Sequence, residues 1–169
     1  MAMGSGWLMA KITFYGLAEY EKKLQNLSVN IERIENEAIY LAAKEVADGI
    51  KAGINSLNPG SSSGKETEAE YKRRVKQKEG LSESFGISPM QNDNGFRNVK
   101  LGFDGYNSVR TPQYPSGQPN VMVARVFNSG TSFSSKQPFF DNAIRATKNK
   151  AKKIMKDTVE SAIEQEMKE

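Results

Sequence analysis

Charged side chains are the only reactive groups that gather in this chain. Six cations fall close together at Arg145, Lys148, Lys150, Lys152, Lys153 and Lys156, and carboxylates cluster at Glu35/Glu37 and Glu66/Glu68/Glu70. The cations have the chemistry to meet phosphates or an acidic protein surface through attraction that salt screens. No aromatic residue is interleaved with them, so stacking on single-stranded bases is not indicated. The carboxylates stand at i,i+2 spacing within helical patterns, where they do not face each other, and they make no acid–base pair. Neither cysteine nor histidine occurs. That removes disulfides, thiolate nucleophiles, imidazole bases and the usual zinc ligands. Gly-x-Gly-x-x-Gly is absent, and Asn58–Gly64 lacks the Gly-Lys-Ser/Thr ending of a phosphate loop. No catalytic, cofactor or metal site is expected.

These residues sit on a chain of 169 residues with a net charge of +4 and an apolar share of 37%. The length suits one domain with a modest core. No apolar run is long enough to span a membrane. Residues 1–10 read as an N-terminal extension or an expression remnant, and residues 11–169 as a single domain.

Lys11–Gly16 alternates as a short strand. Then Leu17, Tyr20, Leu24, Leu27, Ile31, Ile34, Ala38 and Leu41 recur every three or four residues, and the stripe slips by one position to Val46, Ile50, Ile54 and Leu57. This predicts a helix of about 60 Å at 1.5 Å per residue, packed on its own sheet or in a coiled coil. Ser28-Val29-Asn30 is the expected break, because three poor helix formers adjoin there. Asn58–Gly64 is a flexible connector, and Lys65–Glu79 a charged, solvated helix, so that residues 58–79 read as a polar insertion.

Gly80–Ser88 and Phe96–Asp104 alternate around the turn Asn92-Asp93-Asn94-Gly95, predicting a β-hairpin. Asp104–Asn120 reads as a long loop, with Tyr106 and Tyr114 as candidate anchors for a neighbouring subunit. Val121–Phe127 reads as a further strand. Pro138 opens a last helix whose inner stripe is Phe140, Ile144, Thr147, Ala151, Ile154, Thr158 and Ala162. The expected fold is therefore α+β: a small antiparallel sheet of about four strands, packed by a long helix from the N-terminal half and a C-terminal helix.

The most informative stretch joins Phe127-Asn128-Ser129-Gly130-Thr131 to Gln137-Pro138-Phe139-Phe140. An element ends in an aromatic-x-x-Gly-Thr turn, and a Pro-Phe pair launches the terminal helix. This arrangement resembles the neck, or head–tail joining (tail-completion), proteins of long-tailed bacteriophages, the gene-product-ten-like family. The opening Ile12–Leu27 and the segment Gly80-Leu81-Ser82-Glu83-Ser84-Phe85 fit the same order. The chain departs from the family where Asn128 replaces a common Glu and Asn142-Ala143 a common Pro-Ala.

The resemblance implies a structural virion protein, made in the bacterial host cytoplasm and placed in the virion neck. It would form a ring with copies of itself, commonly a hexamer. The ring would lie between the head-closure protein and the tail tube or tail terminator protein, around the channel for double-stranded DNA. Phe127, Gly130, Thr131, Pro138 and Phe139 are then the family motif and candidate subunit interface. Arg145, Lys148, Lys152, Lys153 and Lys156 form the candidate basic contact face, toward DNA or a neighbouring ring. The alternative is a small basic protein that binds nucleic acid without sequence preference.

Overall fold

The apolar repeat beginning at Leu17 forms one uninterrupted helix. In the computed structural model, which describes residues 16–60, 66–132 and 134–168, α1 (Leu17–Ser56) runs for 40 residues. It is followed by α2 (Glu68–Ser84), β1 (Phe85–Ile87), β2 (Gln91–Asp93), β3 (Phe96–Asn98), β4 (Leu101–Phe103), α3 (Asn120–Ser129) and α4 (Phe139–Lys168). The chain is α+β as expected: four helices and four short strands. The strand expected at Lys11–Gly16, the extension 1–10 and residues 61–65 of the connector lie outside the described residues, apart from Gly16.

No break occurs at Ser28-Val29-Asn30. α4 lies antiparallel along α1, and Asn30 Nδ2 donates to Glu166 Oε1 at 2.9 Å, so a poor helix former becomes a tie between the two helices. Small residues set how closely the pair packs. Buried alanines occur at Ala38, Ala42, Ala43 and Ala47 on α1, and at Ala143 and Ala151 on α4. Gly49 and Gly53 face α4 directly. A Cβ on Gly49 would meet Thr147 Cγ2 at 2.8 Å, and one on Gly53 would meet the Cβ and backbone oxygen of Phe139 at 3.2 Å.

Beyond that seam, the C-terminal turns of α1 supply the floor of the core. Ile50, Ile54 and Leu57 pack with Leu81, Phe85, Val123, Phe127 and Phe139, which places the predicted slip of the stripe at the junction with the core. The strands form two antiparallel ladders rather than one sheet. β1 pairs with β4 (Phe85↔Phe103, Ile87↔Leu101), and β2 pairs with β3 around Asn94-Gly95. Phe103 centres an aromatic group, 5.2 Å from Phe85 and 6.3 Å from both Phe139 and Phe140 between ring centroids. These tilted and edge contacts fasten the β1–β4 ladder to the start of α4.

Three expectations are corrected. First, Gly80–Ser84 is the last turn of α2, and only Phe85–Ile87 is extended. The alternation in the sequence is real, but Leu81 meets the core from a helix and is fully buried. The 58–79 insertion therefore continues into a core-packed element. Second, Val121–Phe127 is helical. Asn120, Val123, Ala124 and Phe127 are its buried residues, at i, i+3, i+4 and i+7 behind Pro119. The β-branched residues that suggested a strand include Val121 and Val126 on the solvent side. Third, of the predicted inner stripe of α4 only Ile144 is exposed; Ala151 is buried as expected, and Phe139 and Ala143 join it on the inner face.

α2 begins with a capping box. Glu70 N donates to Thr67 Oγ1, and Thr67 N and Oγ1 donate to the Glu70 carboxylate at 2.8 and 2.9 Å. The Thr67 backbone bond, followed by its hydroxyl, holds the Glu70 carboxyl below the usual value. Because the folded value is the depressed one, this cap acts fully above the ordinary glutamate pKa of about 4.3 and is lost as pH falls through the depressed value. A carboxyl titration followed by NMR should place Glu70 below the ordinary glutamate value, and Thr67→Ala, which removes the hydroxyl but keeps the backbone N–H, should raise it only part of the way back. At the helix seam, Gly49→Leu should cost about 1–3 kcal/mol by overpacking. Thermal unfolding should show this as a Tm lower by several degrees, at about 2–4 °C per kcal/mol for a chain of this size.

Candidate functional site

Of the residues singled out in the sequence, Phe127, Gly130, Thr131, Pro138 and Phe139 are brought together as a joint. Phe127 and Phe139 are 3% and 6% exposed, so their rings serve the core and not a subunit contact. Gly130 has φ 74°, and a Cβ there would lie 2.8 Å from Lys136 N and 2.9 Å from Ser134 O. Both the conformation and the space require glycine. Thr131 and Ser134 then exchange backbone bonds, and Gln137 N donates to Phe127 O at 2.9 Å. Asn128 caps α4: its Oδ1 accepts from Phe140 N at 3.1 Å, and its Nδ2 donates to Asp141 Oδ2 at 2.9 Å. Gln137 closes the other side with two 2.8 Å bonds to the backbone N–H and C=O of Asn58. Nothing in the sequence marks Asn128, Gln137 or Asn58 for these roles, because Asn128 stands ten residues before Pro138 and Asn58 is further still, and only the fold brings them to the start of α4.

The Asp104–Asn120 loop is folded within the single chain. Asn107 and Asn120 are 2% and 3% exposed. Asn107 Nδ2 donates to Gln77 O (3.1 Å) and to Asn120 Oδ1 (3.2 Å), its Oδ1 accepts from Val109 N (3.1 Å), and Asn120 Nδ2 donates to Asp104 O (2.8 Å). Gly117 presses on Asn107 so closely, at φ 100°, that a Cβ would overlap the Asn107 carbonyl oxygen. The long loop expected at Asp104–Asn120 is thus ordered within the single chain: two buried asparagines knot it onto α2. The alternating Pro and Gly residues hid this, because nothing in their spacing shows which asparagines turn inward. Tyr106 stays 68% exposed, whereas Tyr114 is half-buried in a tight turn with Thr111.

The basic face is an exposed ridge of α4. Arg145, Lys148, Lys152 and Lys156 follow at three- and four-residue spacing, so they share one side of the helix, with Lys153 further round. Lys156 reaches Glu160 at 3.6 Å, and Lys150 reaches Glu45 at 2.8 Å. Arg145, Lys148, Lys152 and Lys153 make no ion pair with another described residue, so four cations remain available to an outside anion.

An open groove of about 420 Å³ lies between β4, α3 and the first turn of α4, lined by Leu101, Phe103, Val121, Ala124 and Phe140 with Arg125 at its rim. It can receive an apolar side chain but presents no acid–base pair. Among the described residues no three acidic side chains gather in the manner of a cation site, and no helix is long and apolar enough to cross a membrane. Compared with protein families, curated proteins and solved structures, the chain matches none.

Asn107→Ala removes one partner from a buried polar pair, leaving the Asn120 oxygen and the Val109 N–H without their bonds. The expected cost is about 1–3 kcal/mol, and Asn120→Ala should cost a similar amount. The double variant should fall short of the sum, because both residues act in one network. Urea unfolding of the three variants checks this through the midpoint at constant m-value.

Proposed function

We propose that this chain is a structural subunit of a tailed-bacteriophage neck. In this reading it forms a ring, six-fold by the resemblance, that joins the head-closure protein to the tail tube or terminator and surrounds the DNA channel. One observation carries the reading: among the described residues the fold leaves large apolar side chains uncovered along a helical pair about 45 Å long. Tyr20, Leu24 and Ile31 are 46–53% exposed on α1, and Met155 and Ile163 are 40% and 38% exposed on α4. Contiguous apolar surface of this kind marks contacts with other macromolecules. A rigid pillar with one apolar side suits a subunit that neighbours cover, and a closed ring is the symmetric way to cover every copy. The Phe127–Phe139 joint supports the same reading as a locally determined strut that fixes how α4 leaves the core.

The second reading is non-sequence-specific nucleic-acid binding. It rests on Arg145, Lys148, Lys152 and Lys153, which are exposed and without an ion-pair partner among the described residues. In the neck reading those cations meet an acidic neighbour or weakly attract passing duplex.

Sedimentation velocity of the purified protein, alone and with a short duplex at low and moderate salt, separates the two. The neck reading expects a discrete ring-sized species whose sedimentation duplex does not change. A monomer that binds duplex only at low salt, with affinity falling steeply as salt rises, contradicts it and favours the second reading.

A further inference from the structure

We infer that the side of the α1–α4 pair carrying the β2–β3 hairpin tip is the docking surface for a second copy of this chain. In this arrangement the α1 edge of one copy lies against the α4 edge of the next. The inference rests on the assembly reading and names the surface that assembly uses.

The pair has two unlike sides. One side is polar, lined by Arg33, Glu37, Asp157, Ser161, Gln165 and Glu166 around Leu41. On the other, Met155 and Val159 of α4 share a groove with Glu35, Ala38 and Ile39 of α1 and with Phe96 and Arg97 at the hairpin tip. Ile31 stands four residues before Glu35, Leu24 a further seven, and Tyr20 a further four, so all three lie on the Glu35 side of α1. Ile163 follows Val159 by four on α4. The tip is anchored there: Arg97 Nε lies 3.2 Å from Glu35, and Nη1 donates to Asn36 at 3.2 Å. That leaves Phe96 78% exposed. Together these side chains leave on the order of 500 Å² of apolar surface in one strip, the size of the largest patch on a typical monomer and more than half of one partner's share of a standard interface.

The charges beside the strip argue for a second copy as the occupant. Its α4 edge is basic, with Lys148 and Lys152 exposed and making no ion pair with a described residue. Its α1 edge is acidic: Glu21 makes no ion pair with a described residue, and Glu32 and Glu35 outnumber the single Arg97 they hold. Two copies meeting α1 to α4 oppose acid to base and bury the strip, whereas α1 against α1 would oppose acid to acid. This pairing fits a head-to-tail contact that propagates around a ring and equally a two-fold pair in which it occurs twice, and the measured mass separates them.

The test compares the wild-type chain with Leu24→Ser/Ile31→Ser and with Met122→Ser/Val126→Ser, a control pair exposed on α3 away from the strip and outside the groove. Light scattering after size exclusion gives the mass, and circular dichroism checks that helix content is unchanged. The expected result is an oligomer for the wild type and the control, and a shift to monomer mass for the Leu24/Ile31 variant. Lys148→Glu/Lys152→Glu should weaken the oligomer, and adding salt should weaken the wild type in the same direction. An oligomer that survives the Leu24/Ile31 change overturns this surface while leaving the neck reading standing. A wild-type chain that stays monomeric at its highest soluble concentration overturns self-docking, and if that monomer also binds duplex the neck reading falls with it.

Discussion

The close approach of α1 and α4 is the constraint on which the other contacts depend. Gly53 lets Phe139 rest against α1, and that contact fixes where α4 begins. With α4 placed there, Phe139 and Phe140 form the wall on which Phe103 packs, and the β1–β4 ladder follows from that wall. The Gln137–Asn58 bonds tie the same corner to the end of α1. A seam built from glycine, alanine and threonine gains little apolar area per residue. It compensates through length, since contact runs from Phe139 beside Gly53 to Glu166 beside Asn30 and Arg33. The same length carries the pair beyond the small core, so among the described residues its distal half meets little besides the partner helix and the hairpin tip.

Periodicity made the long elements legible. The three–four spacing from Leu17 predicts α1, Pro138 marks the start of α4, and Asn94-Gly95 marks a two-residue turn. The shorter elements were harder to read, for physical reasons. Val121–Phe127 is rich in β-branched residues, but its buried set has helical spacing, and tertiary packing overrode propensity there. Gly80 suggests an element boundary, yet α2 runs through it because Leu81 reaches the core only from the next helical position. The exposed apolar residues of α1 were visible as part of a stripe. Which of them α4 would cover and which it would leave bare depends on the crossing of two helices, and one helix's sequence does not encode that.

Two segments that the sequence offers as contact sites also make bonds within the chain. The aromatic–Gly-Thr…Pro-Phe segment places Phe127 and Phe139 in the core, and Asn128 caps α4. The Pro- and Gly-rich loop is knotted by Asn107 and Asn120, with Tyr106 left exposed. Both make the chain rigid, which the proposed assembly role needs if its faces are to meet neighbours at fixed angles. Surface left for partners is then concentrated in the apolar strip of the helix pair, the basic ridge of α4, Tyr106 and the groove beside Phe140. In a ring, one edge of the strip would meet the other edge on the next copy, leaving the groove and Tyr106 for the proteins above and below.

In the proposed assembly the helix pair is a pillar that stands beside copies of itself. Negative-stain electron microscopy of the purified protein is the decisive test. Class averages should show a closed ring with a central opening, each copy contributing a rod-like density along the ring wall. Single elongated particles, or open-ended filaments without closure, would contradict it.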